Sequence, residues 1–257
     1  MALDYTFAPW SGVGIMSLYP KDIATGLPSG GGFDLGEGSK LSINQQAPKL
    51  EMPTSRSADR GVAFSMAQSK AASVAIEVLT LSDPLKALLM SGVWTETAAT
   101  AAVVGWVAPA GIVVNQIIKV PAQNISAVVV KDSAGAPATV AAAKYEIDLV
   151  GGTIKMLDIA GFTQPFKVDY TPGAIKTLGA FKAADADMIL HFNGTNARDG
   201  KRGILEAYKF RPSAEGEVAW IMTEWGTYQI NGSLQKDETK LSGSAGGQYY
   251  KWVEVGP

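Results

Sequence analysis

The chain has no cysteine and only one histidine among its 257 residues. The absence of cysteine excludes disulfides and thiolate metal sites. A zinc ion would need carboxylates for all but one of its ligands, which is an unusual set for that metal. We therefore expect neither a metal nor any other cofactor.

Clustered positive charge is absent as well. The sequence has 22 basic and 24 acidic residues, and both kinds are spread evenly along it. Affinity for DNA comes mainly from clustered lysine and arginine, which displace counterions from the phosphates. If DNA is a partner of this chain, we expect that the protein does not bind it tightly.

No apolar run is uniform enough to predict a membrane span. The most apolar window, residues 98–114, is interrupted by Thr100, Gly105, Pro109 and Gly111. The first residues also lack the basic segment and apolar stretch of a signal peptide. We expect no association with a membrane.

Glycine, proline and apolar residues are plentiful instead. The chain has 28 Gly, 13 Pro and 47% hydrophobic residues, which indicates many turns around a sizeable core. In a predicted strand over about 33–45, Leu41 and Ile43 alternate with Ser42 and Asn44. These features are typical of an all-β fold.

Other segments give more local predictions. Asn-Gly pairs at 193–194 and 231–232 predict hairpin turns, because both residues accept a positive φ. Residues 218–224 are predicted to form a strand. Residues 1–32, which are interrupted by glycine and proline, are predicted to form an irregular extended arm.

One short α-helix is predicted over about 82–92. Ser82 is a candidate N-cap, Pro84 fits the first turn and Gly92 supplies the stop. This helix would flank the predicted sheets.

Residues 93–172 differ in composition from the rest, being richer in alanine and valine and poorer in charge. Short strand patterns recur in this segment and are separated by turn residues, which favours a small β-sandwich. We therefore predict two parts: a discontinuous β domain over 1–92 and 173–257, and an inserted β-rich module over 93–172.

The single histidine belongs to no recognisable catalytic motif. His191 lies within a predicted strand, and the sequence has no Gly-x-Ser-x-Gly elbow. The segment 194–202 imitates a phosphate-binding loop, but Arg202 replaces the serine or threonine that holds magnesium. We predict a turn between two strands there, and a chain that is not an enzyme; a hydrolase built around His191 stays a rival.

Several short motifs occur in a fixed order along the chain. They are Leu18-Tyr19-Pro20-Lys21 with Thr25-Gly26, Gly32-Phe33-Asp34-Leu35-Gly36-Glu37, Ser55-Arg56-Ser57-Ala58-Asp59-Arg60-Gly61 and His191-Phe192-Asn193-Gly194-Thr195-Asn196-Ala197-Arg198-Asp199-Gly200-Lys201. In this order the motifs resemble those of tail tube proteins (major tail proteins) of bacteriophages with long non-contractile tails, the siphophages. The resemblance covers most of residues 18–92 and 173–250.

This resemblance implies two packed antiparallel sheets with one flanking helix. It implies six copies in a ring, and rings stacked into a hollow tube through which double-stranded DNA leaves the virion without specific binding. Further expected partners are the tape measure protein and the tail terminator and tip proteins. The expected location is the virion tail, assembled in the cytoplasm of the bacterial host, with the inserted module on the tube exterior. The alternative is a β-sandwich surface or adhesion protein of a virion or cell.

Two sets of residues are predicted to act in assembly and conduction. A long loop at about 46–61 is predicted to contact neighbouring subunits or rings, since it is too long for an ordinary hairpin and alternates apolar residues with charges. Its candidates are Pro48, Leu50, Met52, Pro53, Arg56, Asp59 and Arg60. Glu37, Ser42 and Asn44 are the candidates for lining the channel, with Lys40 as an exception to its polar or acidic character.

Overall fold

The computed structural model describes residues 11–56, 60–213 and 217–255. It confirms the all-β prediction, since strands dominate these residues and a single short α-helix accompanies them. The chain divides into two compact units. The first includes the described residues up to Val93 and from Ala180 onward, and the second is Trp94–Gly179.

The elements are numbered in chain order. They are β1 Gly12–Pro20, β2 Phe33–Asp34, β3 Gly38–Gln46, β4 Lys49–Pro53, β5 Val62–Ala67, β6 Ala71–Val78, α1 Asp83–Leu89, β7 Val93–Thr97, β8 Val103–Val107, β9 Ile117–Lys119, β10 Ile125–Lys131, β11 Tyr145–Asp148, β12 Thr153–Met156, β13 Lys167–Pro172, β14 Ile175–Gly179, β15 Met188–Asn196, β16 Arg202–Ser213, β17 Tyr228–Leu234 and β18 Tyr250–Val255, with a short 3-10 turn at Ala142–Lys144.

An antiparallel eight-stranded sheet dominates the first unit; seven of its strands follow the order β2-β1-β15-β16-β17-β6-β3, and the eighth is β18. The start of β16 pairs with β18, and its end pairs with β17, so the sheet branches at this strand. Opposite β15, strand β16 carries one extra residue between Ala207 and Phe210, and such a bulge bends a strand. The unit is therefore hydrogen-bonded as one branched sheet, where two separate packed sheets were expected.

The core of the first unit lies on one face of this sheet. Val74, Ile76 and Val78 alternate along β6 and are buried, and Met16 and Leu18 are their counterparts in β1. Successive side chains of a strand point to opposite faces, so alternating apolar residues place every second side chain in the core. Along β3 and β6 the same alternation leaves polar side chains, among them Ser42, Asn44 and Ser73, on the opposite face.

The prediction of an irregular N-terminal arm is wrong for residues 12–20. Strand β1 pairs with β15 over its whole length, from Gly12 opposite Asn196 to Pro20 opposite Met188. Gly14 lies within this strand, at a point where β1 and β15 are very close. A Cβ at Gly14 would collide with the backbone of Gly194. The glycine permits close strand approach and is not a breaker here.

The predicted helix is confirmed and is slightly shorter than expected. The Ser82 hydroxyl accepts a hydrogen bond from the Leu85 amide at 3.4 Å, as an N-cap should. Leu85 is the helical side chain that is fully buried. The positive φ at the helix end belongs to Ser91, whereas the predicted stop residue Gly92 follows it and donates to the Ala87 carbonyl.

A separate core supports the second unit. Its two three-stranded sheets have the orders β10-β13-β8 and β11-β12-β9, and a third pair is β7 with β14. Ile118, Ile154, Phe166 and Val168 are among its buried residues. The unit ends at Gly179 rather than at residue 172, because β14 pairs with β7; an exterior position for it stays a prediction.

The two Asn-Gly turn predictions are wrong. Asn193-Gly194 lies inside β15 and Asn231-Gly232 lies inside β17. A Cβ on Gly232 would collide with the Phe210 ring and the Arg211 carbonyl, so this glycine makes room for packing. The turn after β15 occurs farther on, at 197–201, as predicted from the imperfect phosphate-loop motif.

The predicted strand over 218–224 is also wrong. This segment is irregular, and no strand pairs with it in the described part of the chain. Its apolar residues form a continuous run instead of alternating with polar ones, so no single face could be buried. No helix among the described residues has the length and apolarity that crossing a membrane requires.

Candidate functional site

The segment between β3 and β6 is a β-hairpin, so the prediction of a long unstructured loop is wrong. Strands β4 and β5 pair with each other and continue the ladder of β3 and β6. Between the two ladders, the Gln68 amide donates to the Pro48 carbonyl at 2.8 Å. We call residues 48–68 the extension; its two strands, of five and six residues, carry the ladder about 16 Å past the sheet.

Proline caused the wrong prediction. Pro48 lies between the two ladders, and Pro53 lies where the register of β4 and β5 shifts. Proline is tolerated at such positions because no ladder hydrogen bond from its nitrogen is needed there. The alternation of Leu50 and Met52 with charged neighbours was already a strand pattern.

One face of the extension is apolar and uncovered. Leu50 lies opposite Met66, and Met52 lies opposite Phe64, so all four side chains share that face. Each of them is more than half exposed. A two-stranded hairpin is only marginally stable in water, and exposed apolar patches mark interaction surfaces. The extension therefore has the character of a docking element.

The structure assigns most of the predicted contact residues to this extension. Those that it describes are exposed, and they are Pro48, Leu50, Met52, Pro53, Arg56 and Arg60. Asp59 lies outside the described residues. Phe64 and Met66 were not among the predicted contact residues, because they lie beyond the predicted loop, in a strand predicted over about 62–68. That strand was not recognised as the partner of residues 49–53, although Phe64 and Met66 alternate with Ala63 and Ser65 as Leu50 and Met52 alternate with charged residues.

Two of the predicted channel residues lie on the polar face of the main sheet. Ser42 is opposite Ala75 and Asn44 is opposite Ser73, on the side of β3 away from Leu41 and Ile43. Neighbouring β17 continues these rows across the same face. Its contributions are Asn231 and Ser233.

Charges on this face are paired. Lys40, the predicted exception, lies 3.2 Å from Glu77. Arg211 lies 2.7 Å from the buried carboxylate of Asp187. Glu37 departs from the prediction, because it precedes β3 in a loop, where its carbonyl accepts a hydrogen bond from Leu79. Lys209 lies 3.5 Å from the same carboxylate, so Asp187 is shared by two cations and the face is polar rather than acidic.

His191 lies in a row of residue types that catalytic triads use. Ser17 of β1 and Glu206 of β16 flank it on the sheet. The Glu206 carboxylate is bound by Lys251 at 2.7 Å, a hydrogen bond that also raises the pKa of Lys251. Within the described residues His191 makes no side-chain hydrogen bond, and its ring meets Tyr19 edge-on. The row lacks the hydrogen bonds that couple a triad.

Lys21, the last residue of the motif Leu18-Tyr19-Pro20-Lys21, forms a buried ion pair. The Lys21 Nζ lies 2.5 Å from Asp237 and 2.9 Å from the Tyr208 carbonyl, and both charged side chains are almost fully buried. Burial opposes the charge on Asp237, but hydrogen bonds from Lys21 and Thr239 outweigh it and hold the pKa of Asp237 below its usual range. Lys21 therefore has a structural role.

Across residues 11–56, 60–213 and 217–255, no three histidine or carboxylate side chains come together to hold an ion.

These observations define an all-β protein of two units whose first unit carries an uncovered apolar extension. The chain belongs to the family described as "Protein of unknown function UCP028589", whose model matches residues 9–253. No curated protein matches the chain significantly.

Proposed function

We propose that this chain is the structural subunit of a bacteriophage tail tube and has no enzymatic role. Six copies form a ring, and stacked rings enclose a channel for double-stranded DNA. The observation that carries the proposal is the extension, because its apolar face has no partner within the described chain. A protein that works alone would have no need to present such a face.

Contact energy favours assembly through the extension. Full burial of a leucine, methionine or phenylalanine side chain is worth roughly 1.5–3 kcal/mol, and these side chains are already partly covered. Four of them on one face supply several kcal/mol per contact, before the cost of association. In a ring and its stacked neighbours, the same contact repeats for every copy.

The polar face of the main sheet is proposed as the channel wall. Ser42 and Asn44 present short uncharged groups, and the nearby charges of Lys40 and Arg211 are paired with carboxylates. A wall with few positive charges, each close to a carboxylate, has little affinity for phosphate groups. DNA would therefore pass without being retained.

The proposed partners follow from this role. They are other copies of the chain, the tape measure protein within the tube, and the terminator and tip proteins at its ends. The proposed location is the virion tail, assembled in the host cytoplasm. A surface or adhesion protein is the alternative, and a hydrolase using the Ser17–His191–Glu206 row is a second one.

Negative-stain microscopy of two matched hairpin variants tests the proposal. Met52→Thr with Phe64→Thr removes the apolar pair from one face, and Glu51→Thr with Ser65→Thr changes the opposing pair on the other face. Threonine keeps the β propensity of all four positions. We expect the first variant to stay folded by circular dichroism and to lose rings and rods, whereas the second variant assembles like the unmodified chain.

Single particles from the unmodified chain at high concentration would favour the adhesion protein over the tube subunit. Normal rods from the Met52→Thr/Phe64→Thr variant would show that the extension does not carry assembly. Ester hydrolysis that disappears in a His191→Ala variant would favour the hydrolase.

A further inference from the structure

A second uncovered apolar segment lies in the first unit. Residues 217–227, which connect β16 to β17, form an irregular segment that we call the tryptophan loop. Ile221 is 94% exposed, Trp225 is 95% exposed and Trp220 is 65% exposed. Two exposed tryptophans on one loop are unusual, since this side chain is normally well buried.

The tryptophan loop and the extension lie at opposite ends of the same strands. Strand β6 begins at Ala71, next to the extension, and ends at Val78. Strand β17 runs antiparallel to it and begins at Tyr228, opposite Val78. The tryptophan loop therefore joins the sheet at the end remote from the extension, about 25 Å away along the strands.

The two surfaces carry opposite charge. Residues 46–70, which contain the extension, have four basic and two acidic residues. Residues 214–227, which contain the tryptophan loop, have three acidic residues and no basic one. Two extensions would repel each other, as would two tryptophan loops, whereas an extension attracts a tryptophan loop.

We propose that the tryptophan loop of one copy docks on the apolar face of the extension of the next copy. The inference rests on the proposed function and names the partner surface of the extension. Methionine side chains adapt to irregular partners and make favourable sulfur–aromatic contacts, so Met52 and Met66 suit the two tryptophans. The net positive charge of the extension then lies near the acidic rim of the tryptophan loop.

The contact is heterologous, because it joins two different surfaces of identical chains. Repetition of a heterologous contact generates a closed ring or an open filament, whereas a contact between identical patches stops at a dimer. Placement of the two surfaces at opposite ends of the sheet allows each copy to engage two neighbours at once.

Cross-linking of single-cysteine variants tests this contact, and the absence of native cysteine makes every thiol an introduced one. Met66→Cys marks the extension, and Thr223→Cys marks the tryptophan loop. We expect a mixture of the two variants to form a covalent dimer with a short bis-maleimide at least about tenfold more efficiently than either variant alone, because a heterologous contact pairs unlike sites.

Charge reversal provides an independent readout. Glu217→Lys with Glu224→Lys, or Lys49→Glu with Arg56→Glu, should raise the concentration needed for assembly at least about tenfold, because each leaves like charges opposed. The four substitutions together should restore assembly. Glu96→Lys with Glu146→Lys changes the same amount of charge in the second unit and should leave assembly unchanged.

Each outcome separates this inference from the proposed function. Rings or rods without the 66–223 cross-link would overturn the contact and leave the tube subunit standing. The cross-link in open chains that never close into rings would support the contact and overturn the tube. Equal cross-linking in unmixed samples would also overturn the contact, since it indicates pairing of identical patches.

Discussion

Lys21 and Asp237 form a buried ion pair that joins distant parts of the first unit. Lys21 follows β1 and Asp237 follows β17, and the two residues are 216 positions apart. Removal of one partner from such a pair leaves an uncompensated buried charge, which is costly. The pair therefore tests how strongly the ends of the sheet are tied together.

We expect Lys21→Met to lower the free energy of unfolding by about 3–5 kcal/mol, because Asp237 then keeps a buried, unpaired charge. Lys40→Met is the control, since it removes the exposed pair with Glu77 and should cost less than about 1 kcal/mol. Urea denaturation at pH 7 measures both values. Equal losses for the two variants would contradict the structural role of Lys21.

The same pair predicts a dependence on pH. The pKa of Asp237 is lower in the folded protein than in the unfolded chain, so its charge stabilises the fold above the ordinary aspartate pKa of about 3.9. That contribution is lost as the pH falls through the lower folded-state value. Asp237→Asn should therefore flatten the fall in unfolding free energy between about pH 5 and pH 2.

At the scale of single residues, the sequence showed which side chains matter but not what they contact. Lys21 belongs to the first short motif, yet nothing local indicates a partner more than 200 residues away. Ser42 and Asn44 were assigned to one face by alternation alone, and β3 has that alternation. Glu37 was grouped with them although it lies before the strand.

Among the turns, Gly152 is the position where a side chain is least tolerable. Its φ is +68°, and a Cβ there would collide with the Ala122 carbonyl. Gly111 has a similar φ of +76° but faces open space. A side chain at Gly111 would therefore cause backbone strain alone, whereas a side chain at Gly152 would cause both strain and a collision.

We expect Gly152→Ala to lower the free energy of unfolding by at least about 2 kcal/mol, and Gly111→Ala by about 1 kcal/mol, because only the first adds a collision to the strain. Thermal unfolding of the full chain measures the difference. The idea fails when both variants lose the same stability.

Elements with local signals were predictable from the sequence. The N-cap and first-turn proline defined α1, and the alternation of Leu41 and Ile43 with polar residues indicated β3. Strand β1 was missed because its partner β15 lies far along the chain, so glycine and proline dominated the local signal. The extension was missed because two prolines outweighed the alternation beside them.

The second unit leaves and rejoins the first at neighbouring points. The Phe181 amide donates to the Met90 carbonyl at 2.9 Å, and the Ala183 amide donates to the Ser91 carbonyl at 2.8 Å. The backbone on either side of the second unit is therefore close together. A short linker can bridge it without distorting the main sheet.

We expect a chain in which Gly92 is joined to Ala180 by a three-residue linker to be soluble and to form rings or rods. The reason is that the main sheet, its core and both proposed contact surfaces lie outside the deleted segment. Circular dichroism and negative-stain microscopy measure the outcome. A folded variant that stays monomeric would assign the second unit to the assembly contact.

The division into two units was predictable from composition, since residues 93–172 differ visibly from their surroundings. Its C-terminal boundary was not, because the pairing of β14 with β7 depends on a contact between segments about 80 residues apart. The branch of the sheet at β16 could not be predicted from the sequence either, since a bulge has no reliable local pattern.

The extension lies at one end of the sheet only, which gives a direction to any open assembly built through it. At one terminus the last copies keep an uncovered apolar hairpin, and at the other the corresponding receiving surface stays empty. Elongation at the two termini would then proceed at different rates, and a single capping protein could not stop both. Control of length would require two different capping proteins. One would bind the hairpin in a groove, and the other would present a similar hairpin to the empty receiving surface.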